Sequence, residues 1–165
     1  MLDNLGSNPF LLEAWLTLFP LTYVAHIAEE YWGGGGYSKY VLTTYSVELS
    51  PQRFLWLQAV GVSLMGLGVV VGIALRFPIT MLAMLSTIVL GNALVHTLRS
   101  IKEWMYTPGL ITAVALWLPL GCISLVALWP FISASKLVLA LIVGVVTNCV
   151  LERITMRRIK DEGNH

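Results

Sequence analysis

The chain has 165 residues, enough for one domain of ordinary size. Hydrophobic residues make up 57% and charged residues only 12%, where a soluble domain carries about 25% charged residues. Together with a mean hydropathy of +0.78, this argues against a disordered chain, a nucleic-acid binder and a disulfide scaffold, and for an integral membrane protein. The net charge of +1 says little by itself; its distribution says more.

The N-terminus, Met1-Leu2-Asp3-Asn4, lacks a basic segment, and the first apolar run contains Glu13 and continues to His26, so no cleaved signal peptide is expected. About 20 apolar residues are needed to cross the hydrocarbon core as a helix. Residues 54–75, 79–98, 110–132 and 137–156 meet that length plainly, and residues 10–28 form a less clean fifth run. The expected fold is therefore all-α, a polytopic bundle of about five transmembrane helices in one domain (1–160), with a short polar tail (161–165). Cys122 and Cys149 both lie in apolar runs and are expected in helix packing.

The first connection, residues 31–53, contains Gly33-Gly34-Gly35-Gly36. It matches neither a dinucleotide fingerprint nor a P-loop and reads as a flexible joint. Gly68 and Gly72 make a GxxxG, and Ala140 and Gly144 a second small-xxx-small pair, suited to close helix packing inside the bundle. Most of the six tryptophans fall near span ends, as interfacial anchors do. With the N-terminus outside, Lys39, Arg53, Arg99, Lys102, Arg153, Arg157, Arg158 and Lys160 all fall on the cytoplasmic side, leaving only Arg76 and Lys136 opposite. The positive-inside bias predicts N-out, C-in.

Ionisable groups inside a span are costly and mark function by default. Here they form three groups: His26, Glu29 and Glu30 at the end of span one, Asn92 and His96 late in span three, and Asn148 and Glu152 late in span five. Spans one, three and five run the same way, so the three groups share one depth. Each contains an i, i+4 pair on one helix face. Imidazole with carboxylate is a ligand set for zinc, iron or manganese. The expected ligands of a divalent metal ion are His26, Glu30, His96 and Glu152, with Asn92 and Asn148 orienting them by hydrogen bonds. Glu29 is the candidate general base or an additional ligand. Three rival readings stand beside this one: pairing of the glutamates with Arg99 and Arg153, metal-free acid–base chemistry, and a proton or ion pathway. Glu13 and Gln58 read as isolated, and His165 as a solvated terminus.

The motif His26-Ile27-Ala28-Glu29-Glu30, the downstream His96, and Tyr106-Thr107-Pro108-Gly109 together resemble the HXXEE domain family of small integral membrane proteins, recognised by an HxxEE motif, a further histidine and a YxPG motif. The resemblance runs from span one to the start of span four and brings no established function. It supports His26, Glu29, Glu30, His96, Tyr106, Pro108 and Gly109 as the positions to test; Glu152 rests on the topology argument alone. Pro108 also suits a helix start, and Gly109 a turn or a close backbone approach.

The function expected from these readings is a metal-dependent membrane enzyme, a hydrolase or oxidoreductase, acting on a lipid or lipid-like molecule near the cytoplasmic face, with Tyr106 orienting the substrate. A small proton-coupled carrier and a structural protein whose polar cluster locks helices together are the alternatives. The expected partners are membrane lipids and no nucleic acid, in the cytoplasmic membrane of a prokaryote.

Overall fold

The computed structural model describes residues 8–162. Pro9, Pro51 and Pro78 each stand in the first turn of a helix, where a missing N–H forfeits no bond and the fixed φ is already helical. They open α1 (Pro9–Trp32), α3 (Pro51–Ala74) and α4 (Pro78–Glu103). Between α1 and α3 lies the short α2 (Gly36–Tyr45), and α5 (Leu110–Leu128) and α6 (Ala134–Glu162) complete the chain. Asn8 caps α1, its side chain accepting from the backbone N–H groups of Phe10 and Leu11 at 3.1 and 3.3 Å. Within α5, a π-helical turn over Ala113–Trp117 lies just before Leu118-Pro119. Pro119 has no N–H to return to the preceding turn, and a wider turn takes up that defect.

Among the described residues all regular structure is helical, and five stretches are long and apolar enough to cross a membrane: Pro9–Tyr45, Pro51–Ala74, Pro78–Glu103, Leu110–Leu128 and Ala134–Thr155. These correspond to the five predicted runs and make the chain an integral membrane protein.

The glycine segment departs from expectation. It is a built corner, with Gly33–Gly35 forming one 3₁₀ turn and Gly34, Gly35 and Gly36 at φ of 63, 93 and 85°. Only a residue without Cβ enters that region freely. The corner lays α2 against α1, where Tyr37, Tyr40 and Val41 join Val47 and Phe54 in a small buried cluster. Tyr40 donates to Glu103 at 2.8 Å and ties α2 to the end of α4.

The central helix is α4, which packs against α1, α3, α5 and α6. The main core joins Leu16 and Phe19 of α1 to Leu82, Leu85 and Val89 of α4 and Trp117 and Leu128 of α5. Small residues let the helices approach, as predicted. A Cβ on Gly72 would lie 2.7 Å from Met81 Cβ, and one on Gly144 would lie 2.7 Å from Thr87 Oγ1. The Thr87 hydroxyl donates to the Ala140 carbonyl at 2.6 Å, binding α4 to α6. Cys122 and Cys149 are exposed on outer helix faces, so they do not serve packing.

Gly72→Ala is expected to lower the unfolding free energy by about 1–3 kcal/mol, the usual toll of overpacking. Gly66→Ala, where the added methyl meets nothing within 4 Å, is expected not to lower it. Denaturation in detergent followed by circular dichroism compares the two; equal behaviour would show that α3 and α4 are not in close contact at Gly72.

Candidate metal centre

The HxxEE spacing puts His26 and Glu30 one helical turn apart near the end of α1. His96, late in α4, completes a group of three. The Nε2 atoms of His26 and His96 lie 3.7 and 3.6 Å from the same carboxylate oxygen, Glu30 Oε1. All three donor atoms fall within 4.8 Å of one another, and the residues are only 1%, 6% and 5% exposed for His26, Glu30 and His96. Separations of 3.6–3.7 Å are too long for a shared hydrogen bond. They are close to the spacing of donors around one tetrahedral ion, about 3.3–3.5 Å when each bond is about 2.0–2.1 Å.

The other faces of these side chains are occupied. Gln58 of α3 donates from Nε2 to Glu30 Oε2 at 2.6 Å, and its Oε1 accepts from the Tyr23 hydroxyl at 2.8 Å. The tyrosine bond fixes which end of the amide faces the carboxylate. The His26 ring lies against Trp117 with centroids 3.8 Å apart. Gly109, at φ 92°, closes another side; a Cβ there would stand 2.7 Å from His26 Cε1, 2.8 Å from His96 Cε1 and 3.0 Å from Glu30 Cγ. The close approach that Pro108-Gly109 suggested in the sequence is made here, over the three donors. Thr107 holds the segment in place, its hydroxyl donating to the His96 carbonyl at 3.3 Å. The Pro108 carbonyl lies against the His96 imidazole, yet no hydrogen bond of ordinary geometry reaches the buried Nδ1.

Glu29 stands beside the group without joining it. Its Oε1 accepts from the Tyr106 hydroxyl at 2.6 Å and the Ile111 N–H at 2.9 Å. Its Oε2 accepts from the Thr112 N–H at 2.6 Å and the Thr112 hydroxyl at 2.5 Å. The carboxylate thus caps the first turn of α5 from another helix, where free N–H groups and the helix dipole favour negative charge. Partial burial, and then the Glu29 carboxylate, push the Tyr106 phenol above its ordinary pKa and keep it a hydrogen-bond donor.

The fifth span does not reach the centre. Glu152 receives Arg99 Nη2 on both oxygens at 2.7 and 2.9 Å, and its side chain is 44% exposed. Of the glutamates expected as ligands, Glu152 therefore follows the rival reading of ion pairing. Asn148 donates to the carbonyls of Ile88 and Gly144 at 3.0 and 2.9 Å and fastens α6 to α4. Asn92 Oδ1 is buried without a hydrogen-bond partner. The cause is packing: α6 lies chiefly on α4, and there Glu152 meets Arg99 and Asn148 meets the Ile88 carbonyl. The second and fourth spans take its place through Gln58 and Thr112. Gln58, read as isolated, is the one amide among apolar residues 54–62. Thr112 was not singled out; its signal is a hydroxyl in the first turn after Pro108-Gly109. Its Oγ1 lies 2.8 Å from His26 Nδ1.

The family described as "Protein of unknown function with HXXEE motif" matches residues 17–124. The chain belongs to this family. The matched stretch holds His26, Glu29, Glu30, Gln58, His96, Gly109 and Thr112, and ends before α6 and Glu152. No curated protein and no solved structure matches the chain.

Gly109→Ala is expected to cost about 1–2 kcal/mol in left-handed backbone strain and to push the three donors apart. Gly35→Ala, at φ 93° but facing only the flexible Lys39 side chain, carries the strain alone. Histidine NMR signals should move for His26 and His96 in the first variant and stay in the second; unmoved signals in both would place Gly109 away from the group.

Proposed function

We propose that the protein is a metal-dependent integral membrane enzyme in which His26, Glu30 and His96 hold one divalent ion, and that it acts on a lipid or lipid-like substrate. One observation carries this reading: two imidazole nitrogens and a carboxylate oxygen converge within 4.8 Å in a dry place, at ion-sharing rather than hydrogen-bonding distances. A buried carboxylate needs compensation, and a cation between the three donors supplies it. Two histidines and one carboxylate leave positions open for water or substrate, as catalytic sites do. A bound zinc ion would supply a nucleophilic hydroxide for hydrolysis, and an iron ion the setting for oxidation. Glu29 has both oxygens engaged, which favours a supporting role over that of general base. Tyr106, partly exposed beside Glu29, serves the substrate side.

An N-out, C-in orientation would put the centre toward the inner leaflet of a prokaryotic cytoplasmic membrane. Arg99 and Lys102, in the last turns of α4 that also bring His96, support that side by the positive-inside bias.

A structural reading is favoured by one feature, the near-complete burial of all three donors. There the polar cluster locks α1, α3, α4 and α5 together and exchanges nothing. Metal content of detergent-purified protein separates the two readings. Wild type and Glu152→Gln are expected to carry near-stoichiometric zinc, iron or manganese, and His26→Ala, Glu30→Gln and His96→Ala at most about a tenth of that. Metal-free wild type after reconstitution with each ion would overturn the proposal and leave the locking role.

A further inference from the structure

We propose that Thr112 is the positioning residue of the centre: it fixes His26 as the Nδ1–H tautomer, so that Nε2 turns its lone pair to Glu30 and His96, and it links that ring to Glu29. The tautomer follows from the hydrogen-bond geometry alone. Its consequence for ion binding rests on the metal reading above.

A threonine hydroxyl has one proton to give and two lone pairs to receive with. Around Thr112 Oγ1 stand Glu29 Oε2 at 2.5 Å, His26 Nδ1 at 2.8 Å and the Gly109 carbonyl at 3.2 Å. Apart from the Thr112 hydroxyl, Glu29 is surrounded by three donors, the Tyr106 hydroxyl and the N–H groups of Ile111 and Thr112. That is the setting of a carboxylate. If the hydroxyl gave its proton to His26, two oxygen lone pairs would face each other across the shortest contact in the network. The arrangement without such a conflict is Nδ1–H of His26 donating to Thr112, and Thr112 donating to Glu29. The other ring nitrogen, Nε2, is then bare, and it is the one aimed at Glu30.

The arrangement has the form of a carboxylate–histidine pair with a hydroxyl inserted. A partner on the outer nitrogen orients a ligand ring and raises its donor strength. Thr112 is held from both sides for this task. Its own N–H is fixed by Glu29, and Trp117, one and a half turns further along α5, packs on the face of the ring it orients. The first turn of α5 is therefore a bracket for His26. On His96 the Pro108 carbonyl lies against the imidazole without a hydrogen bond of ordinary geometry to Nδ1, so the two imidazoles are held differently.

The test is the ¹⁵N spectrum of histidine side chains in metal-free, detergent-solubilised full-length protein. There are three histidines, so His96→Gln and His165→Gln assign the His26 signals. Wild type should show a neutral His26 ring protonated at Nδ1. Thr112→Ser should keep that signature, and the near-isosteric Thr112→Val should lose it. A His26 protonated at Nε2 in wild type, or a Thr112→Val spectrum identical to wild type, would overturn the proposal. The wild-type spectrum needs no variant, so a misfolded Thr112→Val leaves the proposal open to refutation. Zinc loss to a chelator forms the second arm. Thr112→Val should bind about 10–100-fold more weakly than wild type, and Thr112→Ser close to it. The expected tautomer in a wild type that takes up no zinc, iron or manganese would refute the metal reading while sustaining the positioning role; zinc held equally by all three forms would refute the ligand-orienting role.

Discussion

A single carboxylate oxygen, Glu30 Oε1, set between two imidazole nitrogens away from solvent, is the constraint around which the rest is arranged. A lone carboxylate in an apolar interior costs several kcal/mol at least unless it is hydrogen-bonded or paired. Four helices share the compensation. The helix carrying Glu30 also carries His26; α3 sends Gln58 to the second oxygen, α4 sends His96, and α5 brings the glycine that lets backbone come close. Removing Gln58, His26 or His96 strands a polar group where water is scarce, so the site and the bundle specify each other.

The polar residues at this end of the bundle divide into two sets with different physics. The set around Glu30 is dry, and its members have a fixed geometry. The second set, Arg99 with Glu152, is half-exposed on the carboxylate side. Solvent screens such a pair, and its contribution to stability is about 0–1 kcal/mol. It secures α6 to α4 together with Asn148, Gly144 and Thr87. The hydrogen bonds of Arg99 to a carboxylate go to Glu152.

Much of this was legible in the sequence because membrane helices obey few rules. Five apolar runs gave five spans, and i, i+4 spacing put His26 and Glu30 on one face. The small-residue pairs at Gly72 and Gly144 made the contacts expected of them. Glu152 was expected at the centre on grounds of depth, but depth places a residue only along the bundle axis. Which helix is neighbour to which depends on lateral packing, and α6 turned out to lie on α4. Gln58 was passed over for the same reason: an amide alone in an apolar run gains meaning only from the carboxylate opposite it. The glycine segment misled differently. A run of glycines disfavours a continuous helix, but it also permits the positive φ values of a tight corner, and the tyrosines of α2 then fix that corner by packing.

The wall formed by Trp117 and Gly109 has a kinetic consequence. An ion held between His26, Glu30 and His96, as proposed, would have ring and backbone directly against its donors, which are almost wholly buried. Entry and departure must wait for a local opening at the start of α5, and the rate of such openings is set by the stability of that turn. On the proposed metal reading, occupancy would be under kinetic control: the centre would keep the ion that was abundant when its helices came together, and a later change in the surrounding metal pool would alter it only as fast as the first turn of α5 unfastens from Glu29.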